Sequence, residues 1–368
     1  MQKLGIEELE DILMGCTILG TGGGGSFKRG FETVKKDFDN GKIFRLIRLD
    51  EVPNEALVAC PYYCGAIQPI EAETEAAYSR RIENSSPLIA FRALERYMDR
   101  KFFAALSTEL GGGNTATALS VAANQDIPIV DADPAGRSVP ELVHTTFFVE
   151  GVPISPMAVA TDFGDVVIIS QVADDFRAEA LARSIAVASG GHAGVVDHPV
   201  TGARLRTAVI PGAISYAEIL GKALREARAS GANVVEAIAK AGNGYVLFEG
   251  TIKDDCVFEI KEGFTYGDII ITGKGAYEGQ TGNIWFKNEN IMAWINGEVS
   301  ITVPDLICVL ESKIGEPITN PNCKYGMDVS IVGFPAPEQW RTAKGLEVLG
   351  PRHFGFDVDY TPIENRMT

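Results

Sequence analysis

The stretch between residues 102 and 131 constrains the fold more than any other part of the chain. An apolar run at 102–107 leads into Glu109-Leu110-Gly111-Gly112-Gly113, small residues follow at 115–124, and Ile127-Pro128-Ile129-Val130 ends at Asp131. This order of strand, glycine loop, helix and strand predicts an α/β layer. In such a layer the loops after the strands gather at one edge of the sheet, where open α/β sheets bind their ligands.

The length of the chain and a change of pattern near residue 170 predict two domains. A chain of 368 residues exceeds one ordinary core, for which about 150 residues is usual. Apolar periodicity predicts helices at 6–19 and 26–40 within an α/β N-terminal domain, residues 1–168. Residues 169–368 are predicted to form a predominantly β domain, swivelling or sandwich-like, with strands at 194–196, 205–210, 245–249, 256–260, 268–272, 283–286 and 291–295.

Charge and composition argue against several classes of protein. The formal net charge is −16, and so acidic a surface repels the phosphates of nucleic acid. The sequence contains no run of about 18 apolar residues of the kind that spans a membrane. Its first residues lack the basic and apolar regions of a signal peptide. We therefore expect a cytoplasmic protein with reduced cysteines that acts on a small molecule.

The glycine run Gly20–Gly25 follows one predicted helix and precedes another, with Ser26 as a candidate N-cap. Its backbone amides could hold an anion, but a tight turn between helices explains the glycines equally well. A preceding strand and a Lys-Ser/Thr ending are both missing, which disfavours a dinucleotide or ATP. We expect this loop to form one wall of a site, with Gly22 and Gly23 as substrate contacts.

The segment Glu109–Asn114 places a carboxylate and three glycines at the end of the predicted central strand. Glu109 is a candidate base or metal ligand. The amides of Gly111, Gly112 and Gly113 are candidate contacts for a substrate carbonyl or a developing anion. Asn114 is a candidate substrate contact, or simply the cap of the following helix.

The segment after the next strand offers two more carboxylates. Asp131 and Asp133 point to the same side if the chain is extended, and they are candidates for catalysis or for binding a divalent metal, with His192 as a third ligand. Arg137 is a candidate partner for a substrate carboxylate, because its fork suits bidentate contact. An Asp–Arg structural network is the competing interpretation.

Other candidates are more weakly indicated. Glu141 and His144, in a helix predicted at 140–144, have the spacing of two ligands on one helical face. His198 lies six residues beyond His192, a spacing that is also found in turns and cores. Cys64 could act as a thiolate or be a small buried apolar residue.

Several of these motifs together resemble a bacterial family named for S-methyl-thiohydantoin desulfurase and associated with hydantoinase A/oxoprolinase proteins. The resemblance spans about residues 6–363 and rests on Leu19–Gly25, Glu109–Asn114, Asp131–Leu142, Thr302–Ile307 and Leu349–Phe356. It implies an α/β N-terminal domain, a mostly β C-terminal domain and a thiohydantoin- or hydantoin-like substrate. Some members resemble zinc-dependent desulfhydrases. This sequence departs from the expected Gly-x-Pro-like stretch at Tyr63-Cys64-Gly65-Ala66-Ile67.

Three functional hypotheses follow from the residues and the resemblance. The first is metal-assisted hydrolysis at C2 of a five-membered cyclic ureide, with a divalent metal such as zinc activating water. The second is a metal-free hydrolase or isomerase that uses the carboxylates alone. The third is a non-catalytic partner subunit of a hydantoinase/oxoprolinase complex. We also expect a homo-oligomer.

Overall fold

A computed structural model describes residues 1–65, 82, 85–253, 258–261 and 264–367. Most strands of these residues belong to two large sheets. In chain order they are β1 Gln2–Leu4, β2 Phe44–Ile47, β3 Leu57–Gly65, β4 Phe102–Leu106, β5 Ile129–Val130, β6 Ala132–Asp133, β7 Met157–Ala160, β8 Val166–Ile169, β9 His192–Thr201, β10 Ile210–Pro211, β11 Tyr245–Ile252, β12 Phe258–Lys261, β13 Phe264–Gly273, β14 Thr281–Lys287, β15 Glu289–Ile295, β16 Glu298–Thr302, β17 Leu306–Glu311 and β18 Asp328–Phe334.

The helices lie mainly in the first two thirds of the chain. They are α1 Ile6–Leu19, α2 Phe27–Asp39, α3 Ser86–Met98, α4 Asn114–Gln125, α5 Thr146–Glu150, α6 Asp175–Ala188, α7 Gly202–Ala208, α8 Ala213–Ser230, α9 Val234–Ala241, α10 Ala343–Leu349 and α11 Ile363–Arg366. Ser26 caps α2 as predicted, accepting a hydrogen bond from the Arg29 amide at 3.4 Å.

The first sheet has the strand order β1-β2-β5-β4-β3-β9-β7-β8. Its centre, β2-β5-β4-β3, is parallel, and the flanking pairs are antiparallel. The carboxyl ends of the parallel strands therefore share one edge, as the strand–loop–helix order predicts. Strand β9 comes from beyond residue 168, so this sheet draws strands from both sides of the predicted domain boundary.

The second sheet is antiparallel throughout, in the order β16-β15-β14-β13-β11-β18-β17, with β12 paired to β13. It encloses a core of its own that includes Phe248, Ile269, Phe286 and Ile331. The predicted fold class, an α/β N-terminal part followed by a β-rich C-terminal part, is confirmed.

Two local predictions are wrong. Residues 205–210 were expected to form a strand, but Thr201 caps helix α7 by accepting from the Arg204 amide, and only the last residue belongs to β10. Residues 140–144 form turns instead of a helix. Apolar residues in so short a segment do not separate a helix from a strand. The predicted strand at 256–260 begins outside the described residues.

Helix α1 packs against α8 with almost no space between the two backbones. A Cβ atom at Gly15 would lie 1.7 Å from the Ala217 carbonyl oxygen, and one at Gly221 would lie 1.9 Å from that of Asp11. Glycine is the residue that permits such an approach. This contact joins the first helix to residues beyond position 200 and fixes where the loop after α1 begins.

The cysteines in the described ranges are buried, namely Cys16, Cys60, Cys64, Cys308 and Cys323. Cys256 lies outside the described residues. None of the helices in the described ranges combines the length and the apolar character that crossing a bilayer requires.

Candidate functional site

A cavity of about 690 Å³ opens between the carboxyl edge of the first sheet and the end of the second sheet. Both halves of the chain contribute to its walls. The described residues that line it are Gly22–Ser26, Arg29, Tyr62–Gly65, Glu109, Val139, Pro140, Leu142, Glu179, Arg183, Thr265, Phe286, Asn288, Glu289 and Thr319–Asn322. Its volume is in the range of pockets that hold small organic ligands.

The glycine run Gly20–Gly25 after α1 forms one wall of this cavity, as predicted, and is called the glycine wall below. Gly24 has a φ of +78°, and a Cβ atom there would lie 2.6 Å from the Cα atom of Gly111. The amide of Gly113 donates to the carbonyl oxygen of Gly24 at 2.9 Å. The two glycine-rich loops are therefore packed backbone against backbone, which side chains at these positions would prevent.

Glu109 lies at the carboxyl end of β4 and reaches the cavity. Its φ of +60° places a non-glycine residue in the left-handed region, where such residues are uncommon and often functional. Burial raises the pKa of its carboxyl well above the usual range, and the charges of Glu289, Glu179 and Asp133 raise it further. The protonated form of this carboxyl is therefore favoured, and in that form it can serve as an acid.

Glu289 faces the cavity from the opposite side, at the start of β15. The side chain is 5% exposed, and its Oε2 atom has no hydrogen-bond partner among the described residues. Burial raises the pKa of Glu289 to about 8, although the charge of Arg137 favours the ionised form. A Cβ atom at Gly23 would lie 1.8 Å from its Oε1 atom, so the carboxyl rests directly on the glycine wall.

A third carboxylate in the cavity already has partners. Glu179 accepts from Arg183 Nη2 at 2.6 Å and from the Leu142 amide at 3.1 Å. The remaining Nη1 group of Arg183 donates to the Gly65 carbonyl oxygen at 2.9 Å. Burial raises the pKa of the neighbouring Cys64 thiol to about 12. Cys64 is therefore a neutral thiol at neutral pH and lacks the reactivity of a thiolate.

A buried chain of polar groups runs from the cavity into the first sheet. Tyr62 lines the cavity and donates its hydroxyl proton to Asp197 Oδ2 at 2.7 Å. Asp197 Oδ1 lies 2.9 Å from His198 Nδ1, which fixes the imidazole ring. Because its proton is held by Asp197, Tyr62 can only accept a hydrogen bond from a ligand.

The structure does not bring the predicted metal ligands together. The Asp131 carboxylate accepts from the amide and hydroxyl of Ser215, at 2.9 and 2.6 Å, and thereby caps α8. Asp133 is fully buried and accepts from the Ala135 amide at 2.7 Å. His192 Nε2 lies 2.8 Å from Asp162 Oδ2, on the far side of Tyr63. A metal bound by Asp131, Asp133 and His192 stays a prediction.

Arg137 is 1% exposed and makes all of its contacts within the protein. Its Nε atom donates to the Ser138 carbonyl oxygen, and Nη2 donates to Thr21 Oγ1 at 2.8 Å and to the Asn290 carbonyl oxygen at 3.0 Å. Its Nη1 atom donates to the Asp305 carbonyl oxygen at 3.2 Å. The guanidinium thus ties the glycine wall to the second sheet, and none of these hydrogen bonds reaches the carboxylate of Asp131 or Asp133.

The other predicted substrate contacts fall into three groups. Gly22 and Gly23 line the main cavity. Gly113, Asn114 and His192 line a separate cavity of about 430 Å³ on the other side of Arg29. Gly111 and Gly112 are buried, where a Cβ atom would meet Gly24 and Phe27, respectively.

The described residues contain one group of metal-ligating types, Glu141, His144 and His353. The Glu141 amide donates to His144 Nδ1 at 3.2 Å, so neutral His144 carries its proton on Nε2. That Nε2 atom lies 3.0 Å from His353 Nε2 and donates to it, while Lys287 pairs with the Glu141 carboxylate. These donors satisfy one another, whereas a metal-binding histidine presents an unprotonated nitrogen to the ion. In this arrangement the group does not fit an ion.

Sequence reasoning missed the cavity residues contributed by the second half of the chain. Glu289 and Asn320 are distant in sequence from the glycine loops, and neither stands in a pattern typical of an active site. One weak sequence signal precedes Glu289, because Asn288 is of a residue type that favours tight turns. In the structure Asn288 has the positive φ of such a turn. Tyr62 and Glu179 likewise occupy positions typical of a strand and a helix.

Family models match both halves of the chain. The model for the S-Me-THD-like N-terminal domain matches residues 7–171, and the model for the S-Me-THD-like C-terminal domain matches residues 173–363. No curated protein matches the chain. Among solved structures, a crystal structure of a protein from Chromobacterium violaceum is similar with a TM-score of 0.79 and 21% identity, over 99% of this chain and 100% of that one. The likeness shows a shared fold.

Proposed function

This chain belongs to the S-Me-THD-like family, and on that premise we propose that it replaces sulfur by oxygen at C2 of a five-membered thiohydantoin-like ring. The reaction takes place in the 690 Å³ cavity between the two sheets. Its products are a hydantoin-like ring and a thiol or hydrogen sulfide.

The observation that supports this proposal most is the position of Glu109. Burial favours the protonated form of its carboxyl, which forms no hydrogen bond with another residue in the described part of the chain, and its backbone is held in the left-handed region. A general acid or base needs a pKa near the working pH and access to the substrate. Glu109 is the predicted catalytic residue that lines the cavity, and burial raises its pKa from the usual range of a carboxyl.

One carboxyl is sufficient for the proton transfers of this reaction. With an S-methyl ring, Glu109 gives its proton to the ring nitrogen of the C=N bond and then accepts a proton from the water that attacks C2. The tetrahedral carbon formed bears OH, NH and SCH₃. Glu109 next protonates the departing sulfur and recovers a proton from the OH group, so C=O forms as the C–S bond breaks. Water supplies the oxygen, and its two protons end on nitrogen and sulfur.

The test is the release of thiol from an S-methyl-thiohydantoin, with chromatographic detection of the hydantoin. We expect turnover by the purified protein and a loss of about 10²- to 10⁴-fold in the Glu109→Gln variant. Glu298→Gln, an exposed change in a distant hairpin, serves as the control. A protein that leaves both S-methyl and free thiohydantoins intact, with or without added zinc, would refute the proposal.

Metal-assisted hydrolysis is the competing mechanism. The hydrogen bonds within the Glu141–His144–His353 group favour the carboxyl mechanism, because these side chains are already paired with protein donors. We therefore expect full activity after exhaustive chelation. Activity that disappears with a chelator and returns with one divalent metal would establish the metal-assisted mechanism instead.

A homo-oligomer, a hydantoinase/oxoprolinase partner and a cytoplasmic location are further proposals. They rest on the resemblance and on composition. Co-purification, together with turnover measured with and without the partner, tests whether the chain acts alone.

A further inference from the structure

Two residues that line the cavity each carry a buried oxygen atom without a partner in the described ranges. These atoms are Glu289 Oε2 and Asn320 Oδ1, on side chains that are 5% and 1% exposed. A buried polar atom without a hydrogen bond loses its bonds to water and gains none in return, so such atoms are rare in folded proteins. Two of them in the wall of a ligand-sized cavity point to a ligand that supplies the missing bonds.

The two side chains are adjacent because they rest on adjacent residues of the glycine wall. A Cβ atom at Gly22 would lie 2.4 Å from Asn320 Oδ1, and one at Gly23 would lie 1.8 Å from Glu289 Oε1. Consecutive Cα atoms are about 3.8 Å apart. The carboxyl and the amide therefore pack against neighbouring residues of the same cavity wall.

The hydrogen bonds of Asn320 fix which atom of its amide faces the ligand. Nδ2 donates to the Asn288 carbonyl oxygen at 2.8 Å, and the backbone amide donates to the Gly22 carbonyl oxygen at 2.9 Å. The remaining atom, Oδ1, can only accept. A ligand must therefore present an N–H or O–H group to Asn320.

Glu289 supplies the complementary donor. Its pKa of about 8 leaves the carboxyl protonated at neutral pH. A protonated carboxyl donates through its O–H group. Beside the acceptor of Asn320, this gives one donor and one acceptor on the same wall.

We propose that Glu289 and Asn320 together recognise an N–H group and a carbonyl oxygen that lie on the same edge of a small ring. Rings of five members hold their amide bonds in the cis arrangement, which places N–H and C=O on one side. Linear amides are trans and present these groups on opposite sides. The pair therefore selects cyclic imides and ureides with a free N–H and rejects linear secondary amides and rings alkylated at that nitrogen.

This inference rests on the proposed function, and it specifies the orientation of the substrate. The N3–H and C4=O groups of a hydantoin-like ring form such an edge, and C2 lies on the other side of N3. With that edge against Glu289 and Asn320, C2 is left free to face the rest of the cavity. Glu289 and Asn320 then act as specificity-determining residues, while Glu109 handles protons.

Calorimetric titration with hydantoin, 1-methylhydantoin and 3-methylhydantoin tests the inference without requiring turnover. The wild-type protein is expected to bind hydantoin and 1-methylhydantoin with similar affinity and 3-methylhydantoin about 10- to 100-fold more weakly. In Asn320→Ala, hydantoin binding falls and the preference over 3-methylhydantoin drops to within about threefold. Asn124→Ala, on the last turns of α4, is the matched control and keeps the wild-type preference.

The outcomes separate this inference from the proposed reaction. Equal binding of hydantoin and 3-methylhydantoin by the wild-type protein overturns the inference, as does a preference that survives in Asn320→Ala. Failure of hydantoin to bind overturns it as well. If binding shows the expected preference but no thiohydantoin is desulfurised, the inference stands and the proposed reaction fails. Glu289→Gln, which keeps an N–H donor at this position, should bind hydantoin more tightly than Glu289→Ala does.

Discussion

Replacement of Glu289 by glutamine is expected to stabilise the protein at neutral and alkaline pH but not in acid. Burial raises the pKa of this carboxyl from 4.5 to about 8. The folded chain therefore keeps a proton that the unfolded chain releases, and the stability of the wild-type protein falls as the pH rises between these values. The fall amounts to about 1.4 kcal/mol for each pH unit. Glutamine has nearly the same shape and cannot ionise, so the variant lacks this contribution.

The magnitude follows from the interval between the two pKa values. Once Glu289 is fully ionised in both states, the interval corresponds to about 5 kcal/mol, and at pH 7 to about 3 kcal/mol. The side chain is 5% exposed, so solvent does little to screen its charge. The charge of Glu289 also raises the pKa of Glu109. Its removal lowers the pKa of Glu109, which also increases the free energy of unfolding of the variant at alkaline pH.

Urea unfolding at pH 5, 7 and 9, followed by circular dichroism, measures this difference. The free energy of unfolding of Glu289→Gln should exceed that of the wild-type protein by less than about 1 kcal/mol at pH 5, and by about 3 and 5 kcal/mol at pH 7 and pH 9. Glu298→Gln, at an exposed hairpin position, should follow the wild-type curve. Parallel pH dependences for Glu289→Gln and wild type would refute the reasoning, because Glu289 would then be ionised in the folded state without cost.

Three further predictions concern the cavity and its walls. Glu109→Gln should stay folded at pH 5 and lose thiohydantoin turnover through a fall in kcat, and an unchanged kcat would contradict this. Arg137→Met should lower the free energy of unfolding by about 3–5 kcal/mol, because it leaves buried carbonyl groups without donors; a change confined to KM would instead indicate substrate binding. Gly24→Ala should lower the free energy of unfolding by about 1–3 kcal/mol, measured by thermal unfolding, because a Cβ atom there meets Gly111. Gly41→Ala has open space around it and should be destabilised only by its positive φ.

Local patterns in the sequence were sufficient for features that depend on neighbouring residues. The apolar spacing at 6–19 and the Ser26 cap predicted helices α1 and α2, because a helix is stabilised by contacts three or four residues apart. The strand–glycine–helix order likewise placed Glu109 at the carboxyl edge of the first sheet. The same reasoning failed at 205–210, where a short apolar segment fits a helix and a strand equally well.

The sequence alone thus determined the class of fold, the family motifs, the glycine wall and the position of Glu109. Only the tertiary structure decided which charged side chains share the cavity. Glu289 reaches it from strand β15, and Asn320 from the turn between β17 and β18. Asp131 instead accepts hydrogen bonds from Ser215, and Arg137 donates to buried carbonyl groups. The pKa of a carboxyl and the partners of a buried donor depend on atoms that the fold brings together from distant parts of the chain, and no local pattern records that proximity.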